Sequence, residues 1–126
     1  MGDAELRKQW EAVLQRHLDG ESDKDVEAVL DTMPDPIYDL TTVDRVLRGR
    51  DQVGALLKNM FQALPDYRHA VDRFHHDGDN VVVEVVTTFE DGNVVKTVGV
   101  FGFDGPALLS ERVYVPPDLL LPLLPD

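Results

Sequence analysis

Cysteine is absent from the chain, which excludes disulfide bonds, thiolate metal sites and cysteine nucleophiles. Basic residues are also scarce: 12 Lys and Arg stand against 24 Asp and Glu, a formal net charge of -12. Such an acidic surface repels nucleic-acid phosphates and anionic lipids, so neither nucleic acid nor a membrane is an expected partner. The acidic excess is most simply a solubility feature.

Long apolar runs are missing as well. Residues 1–10 are polar and charged, unlike a secretory signal, and the apolar stretch 119–124 is interrupted by Pro122 and too short to span a bilayer. A cytoplasmic location is therefore expected. The sequence has no glycine-rich phosphate loop and no serine elbow, which argues against nucleotide and acyl-serine chemistry. No cofactor and no metal ion is expected.

What is present is an ordinary globular composition, with 43% hydrophobic and 29% charged residues in a chain of 126. This length predicts a single domain over residues 1–126, with a core of useful size. No repeat or linker is visible, and residues 116–126 are expected to form a C-terminal tail.

Helical patterns fill most of the first half. One apolar stripe predicts a first helix that stops at Gly20, and a second helix is expected from Ser22 to the prolines that follow Met33. A third helix is expected to begin at Gly49 and to end at Pro65. The stripe of the first helix consists of Leu6, Trp10, Val13, Leu14, His17 and Leu18.

The second half has the pattern of a β-meander. Runs 68–76, 80–90, 93–103 and 107–115 are rich in β-forming residues, and Asp-Gly pairs separate them. Two further short strands, 37–40 and 43–47, are expected before the third helix. Helices followed by an antiparallel meander predict an α+β fold whose helices cover one face of the sheet.

Four stretches resemble the SnoaL-like branch of the nuclear-transport-factor-2-like superfamily. They lie at 17–38, at Gly49-Arg50-Asp51 before the long helix, at Leu64-Pro65-Asp66 after it, and at 111–114 near the end of the meander. The resemblance covers residues from about 5 to 120. It implies a bent antiparallel sheet and three helices around a cone-shaped, mostly apolar cavity, and the short Asp91-Gly92 connection implies a more open cavity than usual.

The resemblance implies one of four kinds of function. These are polyketide cyclisation, steroid isomerisation, epoxide hydrolysis and non-catalytic association. Epoxide hydrolases of this superfamily use two acids and an arginine, and the resemblance places their positions at Val85, Thr87 and Val113 of this sequence. The position of the catalytic acid of the cyclases is also occupied by Val113. The position of the carboxylate base of the steroid isomerases is occupied by Leu40. The neighbouring Asp39 is expected to point to the opposite face of the strand. The usual acids are therefore replaced, and a fold of this type does not fix the function.

Candidate site residues are the polar and apolar groups expected to face the cavity. His17 is either a core histidine bonded to Glu21 or a cavity group, and Glu111 is either an acid/base group or a cross-strand partner of Lys96. His75 and His76 flank a turn and are not expected to bind metal. The catalytic candidates are His17, Asp39, His69 and Glu111. The ligand-binding candidates are Trp10, Leu14, His17, Tyr38, Met60, His69, Val85, Thr87, Glu111 and Val113.

Three functions remain open from the sequence. The chain is interpreted first as a pocket protein for a small apolar, polyketide-like or steroid-like molecule, with catalysis undecided. The second interpretation is a non-catalytic association domain that forms a homodimer through the outer face of the sheet, at Val82, Glu84, Val86 and Thr88. The third is an isomerase or cyclase whose acid/base group has moved.

Overall fold

The computed structural model describes residues 2–125 and confirms the predicted α+β fold. Three helices, α1 (Asp3–Ser22), α2 (Val26–Asp31) and α3 (Gly49–Ala63), precede a long meander, and a short α4 (Pro117–Leu120) follows it. None of the helices within residues 2–125 is long and apolar enough to cross a membrane. The strands are β1 (Ile37–Leu40), β2 (Arg45–Arg48), β3 (Tyr67–Asp77), β4 (Asn80–Phe89), β5 (Val94–Asp104) and β6 (Ala107–Val113).

The six strands form one open sheet in the order β2-β1-β6-β5-β4-β3. The predicted meander β3 to β6 is antiparallel throughout, whereas β1 pairs with β6 in parallel. The sheet is therefore mixed. Register shifts interrupt β3 between Val71 and Arg73 and β5 between Gly102 and Phe103. Such irregularities bend a strand, and they help the sheet to curve around the helices.

The helices cover one face of the sheet, called here the inner face. Along β4, the inner-face residues Val81, Val83, Val85 and Thr87 are buried, and they alternate with less buried residues on the outer face. Residues that pair directly across neighbouring strands lie on the same face of a sheet. Phe101 pairs with the inner-face Val81 and Glu111 pairs with Phe101, so Glu111 is also on the inner face. A core of buried apolar side chains from α1, α2, α3 and the inner face holds the layers together.

The first helix does not stop at Gly20, contrary to the prediction. A Cβ at this position would lie 3.0 Å from Val29 Cγ2 and 3.1 Å from Val29 N. Gly20 therefore allows close packing of α2 against α1, which is a different use of glycine from ending a helix. The helix continues to Ser22, and this extension keeps Glu21 on the buried stripe, one turn after His17.

The predicted N-cap at Ser22 is also wrong. Asp25 caps α2, because its carboxylate accepts a hydrogen bond from the backbone N–H of Ala28. The chain reverses at Lys24, whose φ of 53° is in the left-handed region. The Ser22 hydroxyl instead accepts a hydrogen bond from the backbone N–H of His69, which ties the end of α1 to β3.

The expected C-terminal tail packs on the domain. Leu120 of α4 is buried in the core, and a 3₁₀ turn at Leu121–Leu123 follows it. The Asn59 side-chain amide of α3 donates a hydrogen bond to the Leu123 carbonyl. Leu120, Leu123 and Leu124 explain why this segment is not a free tail, since their apolar side chains gain more by contact with the core than by exposure to water.

Candidate functional site

A cluster of polar side chains lies beneath α1 on the inner face of the sheet. His17 is fully buried at its centre. Its Nε2 atom lies 3.2 Å from Glu111 Oε1, 3.5 Å from Glu21 Oε2 and 3.3 Å from the Tyr38 hydroxyl. Two carboxylates and a phenol thus converge on one imidazole nitrogen.

The other nitrogen of His17 is held by Thr32. The Thr32 hydroxyl donates its only hydrogen to the Val29 carbonyl at 2.6 Å, so it can only accept from His17 Nδ1, which lies 2.9 Å away. Nδ1 therefore carries a proton in either charge state. Gain and loss of the second proton take place at Nε2, which faces the two carboxylates.

Three elements bring these groups together. His17 and Glu21 are one helical turn apart on α1 and therefore share a face. The parallel register of β1 and β6 pairs Tyr38 with Glu111 directly. From β5, the Phe101 ring meets the His17 ring edge to face, with centroids 5.6 Å apart.

Charges and burial set the protonation of the cluster. Burial lowers the pKa of His17, but the hydrogen bond to Glu111 and the charges of Glu21 and Glu111 outweigh it and raise this pKa above 6.5. Burial raises the pKa of Glu21 to about 7; the charge of His17 opposes this shift and that of Glu111 adds to it. Burial, with the charges of Glu111 and Glu21, raises the pKa of Tyr38. Near neutral pH, the Glu21 carboxyl group is thus close to the middle of its titration, and the raised pKa of His17 favours the imidazolium.

A second set of polar groups adjoins the first through Glu21. His69 Nδ1 lies 2.7 Å from the Thr87 hydroxyl, and His69 Nε2 lies 4.0 Å from Glu21 Oε1. Burial and the charge of His17 lower the pKa of His69 to about 4, so this imidazole is neutral at physiological pH. The Tyr67 ring lies beside it, tilted by 43°, with ring centroids 4.9 Å apart.

The carboxylates, and not the imidazole, reach the protein surface. The Glu21 and Glu111 side chains are 13% and 15% exposed, whereas the His17 side chain has no exposed area. Of the three side chains, only the two carboxylates therefore have surface area that a ligand could contact, and His17 lies behind them.

The same three groups could hold a metal ion. His17, Glu21 and Glu111 each offer a ligand atom, and these atoms all lie within 4.8 Å of one another. Nitrogen and oxygen ligands of this kind suit a divalent transition metal. However, the contacts of His17 Nε2 with both carboxylates already account for their proximity as an internal ion pair.

The structure brings together some of the predicted catalytic candidates and separates others. His17 and Glu111 are in contact, and His69 adjoins them through Glu21. Asp39 alternates with the buried Tyr38 and lies on the other face of β1. The predicted partner of Glu111, Lys96, lies opposite Val86 on the outer face. Histidines near the hairpin turn form separate pairs, His75 with Glu84 and His76 with Glu11.

The apolar ligand-binding candidates belong to the core. Leu14, Val85 and Trp10 are buried in it, and Met60 and Val113 pack against it. Trp10 stacks on Phe103 and donates its indole N–H to the Gly105 carbonyl at 2.7 Å.

Two surface pockets lie near the two ends of α1, and neither is lined by His17, Glu21 or Glu111. The larger one, about 550 Å³, lies at the end of α1 and has Tyr67 in its wall. The smaller one, about 240 Å³, is lined in part by Trp10. Of the predicted ligand-binding residues, Trp10 alone lines either of these two pockets. The predicted cone-shaped cavity and its lining stay a prediction.

Three residues of the site are missing from the sequence-based candidates. The sequence predicts Glu21 only as a hydrogen-bond partner of His17. Its spacing from Leu14, Leu18 and His17 on a continued stripe was the available signal. Tyr67 lies two residues before His69 on β3 and so shares its face. Thr32 carries no comparable signal, because it follows the last turn of α2.

Comparison with known proteins agrees with this fold. Residues 14–106 match the family model described as the SnoaL-like domain. No protein of curated function matches the chain.

Solved structures of similar fold include an NTF-2-like protein of unknown function from Burkholderia xenovorans. It is 21% identical, with a TM-score of 0.69 over 87% of this chain and 84% of that one. A protein of Catenulispora acidiphila with a ketosteroid isomerase-like fold, solved in complex with trimethylamine, is 15% identical; its TM-score is 0.69 over 90% and 93% of the two chains. At these identities the likeness shows the fold alone. Because the family match spans most of the sequence, the chain belongs to the SnoaL-like domain family.

Proposed function

We propose that the protein binds a small, mostly apolar molecule on the inner face and transfers a proton at a carbon atom next to a carbonyl group. The observation that carries this proposal is the convergence of two partly exposed carboxylates, Glu21 and Glu111, on the buried His17. A SnoaL-like fold supports a small-molecule or isomerase-like site in general terms. The residues of the cluster supply the specific chemistry.

Glu21 is the proposed general base. A carboxyl group whose pKa is about 7 accepts and returns protons at neutral pH with little energetic cost, which is the condition for efficient acid/base catalysis. Glu111 and His17 act on Glu21 through their charges. His17 is a positioning residue, because it is fully buried behind the carboxylates and does not touch a ligand.

The test uses 1-tetralone, a bicyclic ketone, dissolved in D₂O with the protein. Transfer of an α-proton to Glu21 and return of a deuteron from solvent would remove the α-proton signal from the NMR spectrum. Glu21→Gln is expected to slow this exchange by about 100-fold or more, as is usual when a general base is removed.

The matched control is Glu84→Gln, the same chemical change on the outer face. Glu84 is 41% exposed and bonded to His75 at 2.6 Å, far from the inner-face cluster. Its replacement should leave the exchange rate unchanged. Exchange that is equally fast in the parent and in Glu21→Gln contradicts the proposal, provided that circular dichroism shows both proteins folded.

A second candidate function is homodimeric association, and the outer face favours it. Val94 and Val98 of β5 are each at least half exposed there, beside the half-buried Val82 and Val86 of β4. Lys96 lies between Val94 and Val98 and opposite Val86, so these valines form an apolar patch around one charged side chain, of the kind that a partner can cover. The two candidates are compatible, because they use opposite faces of the sheet.

Light scattering at micromolar concentration tests this association. We expect a mass of twice the 14.1 kDa of the chain. Val98→Glu should give a monomer, because a charge in the apolar patch would be left without a partner on association. The same substitution should leave ketone exchange unaffected. A parent protein that is monomeric under these conditions contradicts the association.

A further inference from the structure

The Thr32 hydroxyl lies between a backbone carbonyl and the ring of His17. Thr32 follows α2 directly and is 8% exposed. Its hydroxyl oxygen lies 2.6 Å from the Val29 carbonyl oxygen and 2.9 Å from His17 Nδ1. Two oxygen atoms at 2.6 Å would repel each other without a hydrogen between them, so the hydroxyl hydrogen points at the carbonyl. The hydroxyl therefore presents only a lone pair to His17.

This contact selects between the two neutral tautomers of His17. The tautomer with its hydrogen on Nε2 would place the lone pair of Nδ1 against the lone pair of the Thr32 oxygen. Because the His17 side chain has no exposed area, water cannot relieve such a contact. Polar atoms that are buried without a hydrogen-bond partner are unfavourable. Neutral His17 is therefore expected to keep its hydrogen on Nδ1.

The selected tautomer favours the charged form of the ring. Without a proton, Nε2 would present a lone pair to Glu111 Oε1 at 3.2 Å and to Glu21 Oε2 at 3.5 Å. The imidazolium is the only form in which both ring nitrogens donate a hydrogen bond. The groups that surround the ring are Glu21 from α1, Thr32 from α2, Tyr38 from β1, His69 from β3 beyond Glu21, the uncharged Phe101 ring from β5, and Glu111 from β6.

We propose that Thr32 is a positioning residue that fixes the tautomer of His17 and thereby sets the pH range in which Glu21 acts as a base. This assignment rests on the proposed function of Glu21 and adds to it a determinant of its pH dependence. Thr32 contacts Nδ1, whereas both carboxylates contact Nε2, so Thr32 acts only through the imidazole.

The positive charge of His17 connects Thr32 with Glu21. That charge opposes the effect of burial on the pKa of Glu21. Without the Thr32 hydroxyl, the imidazolium loses the acceptor of its Nδ1–H, and the neutral tautomer with hydrogen on Nε2 can donate to Glu111. His17 would then give up its charge at a lower pH, and Glu21 would ionise only at a higher pH.

Thr32→Val tests the tautomer, because it removes the hydroxyl and keeps a branched side chain. In nitrogen-15 NMR, the ring nitrogens of His17 differ according to whether they carry a hydrogen. Above the midpoint of the His17 titration, the nitrogen without hydrogen should be Nε2 in the parent and Nδ1 in Thr32→Val. This midpoint should also fall by about one pH unit in the variant, because a hydrogen bond to a charged group is lost.

Exchange of the α-protons of 1-tetralone tests the connection to Glu21. The pH at which exchange reaches half of its maximal rate should rise in Thr32→Val, and Thr32→Ser should restore it because serine supplies the hydroxyl again. A purely structural role would instead lower the rate by the same factor at every pH. The matched control is Thr41→Val, the same chemical change at a hydroxyl that donates to the Val113 carbonyl at 2.9 Å.

Two results would overturn the assignment. One is a parent protein in which Nδ1 is the nitrogen without hydrogen, and this measurement needs no variant to fold. The other is a folded Thr32→Val protein with the tautomer or the pH profile of the parent. Failure of the proposed function looks different: the tautomer would depend on Thr32, which supports its positioning of His17, while the parent would not exchange the α-protons of 1-tetralone at any pH.

Discussion

Replacing His17 by leucine is expected to lower the free energy of unfolding by about 3 kcal/mol at pH 6.5, because it leaves buried charge without a partner. Glu111 lies 3.2 Å from His17 Nε2 and is 15% exposed, so water can replace only part of the lost interaction. The measurement is urea denaturation followed by circular dichroism.

The double variant His17→Leu/Glu111→Leu should recover much of this loss. Apolar side chains in place of a whole buried ion pair are often neutral in stability, whereas removing one partner is costly. The matched control is the pair His75 and Glu84 on the outer face, which is 2.6 Å apart but 49% and 41% exposed. His75→Leu should cost much less stability than His17→Leu, as expected for an exposed pair.

Equal losses for His17→Leu and His75→Leu would contradict this account. So would a double variant in which the two losses at His17 and Glu111 simply add. Either result would mean that His17 contributes mainly as a space-filling core residue and not as the charge partner of Glu111.

Much of the fold could be predicted because local patterns and tertiary packing agree. Local sequence alone indicates α1 by the stripe from Leu6 to Leu18, α3 by its flanking Gly49 and Pro65, and the hairpins by their Asp-Gly turns. The parallel pairing of β1 with β6 could not be obtained in this way. It joins residues about seventy positions apart, and the side-chain alternation of a short strand does not distinguish parallel from antiparallel neighbours.

The site was less predictable because two of its features depend on long-range contacts. Gly20 resembles a helix stop in the sequence, and only the position of Val29 shows that it serves close packing. The pairing of β1 with β6 determines the surroundings of Glu111. It sets how far Glu111 is exposed and gives it His17 instead of Lys96 as a partner.

Glu21 and His69 should give opposite pH dependences of stability. The folded-state pKa of Glu21 is raised from 4.5 to about 7, so its contribution is fully present below pH 4.5 and is lost as the pH rises through 7. The folded-state pKa of His69 is lowered from 6.5 to about 4, so its contribution is present above pH 6.5 and is lost as the pH falls through 4. In the parent protein the two effects largely cancel between pH 4.5 and 6.5.

Single variants should separate the two effects. Relative to the parent, Glu21→Gln is expected to gain about 2–3 kcal/mol of stability as the pH rises from 4.5 to 7.5, because it lacks a group that disfavours folding when ionised. His69→Gln should change in the opposite direction by a similar amount, since it lacks a group that disfavours folding when protonated. Urea denaturation at half-unit pH steps measures both differences. The same dependence of unfolding free energy on pH in both variants would contradict this account. It would show that Glu21 and His69 titrate in the folded protein as they do in the unfolded chain. Glu21 would then be ionised at neutral pH and would be a weaker base than proposed.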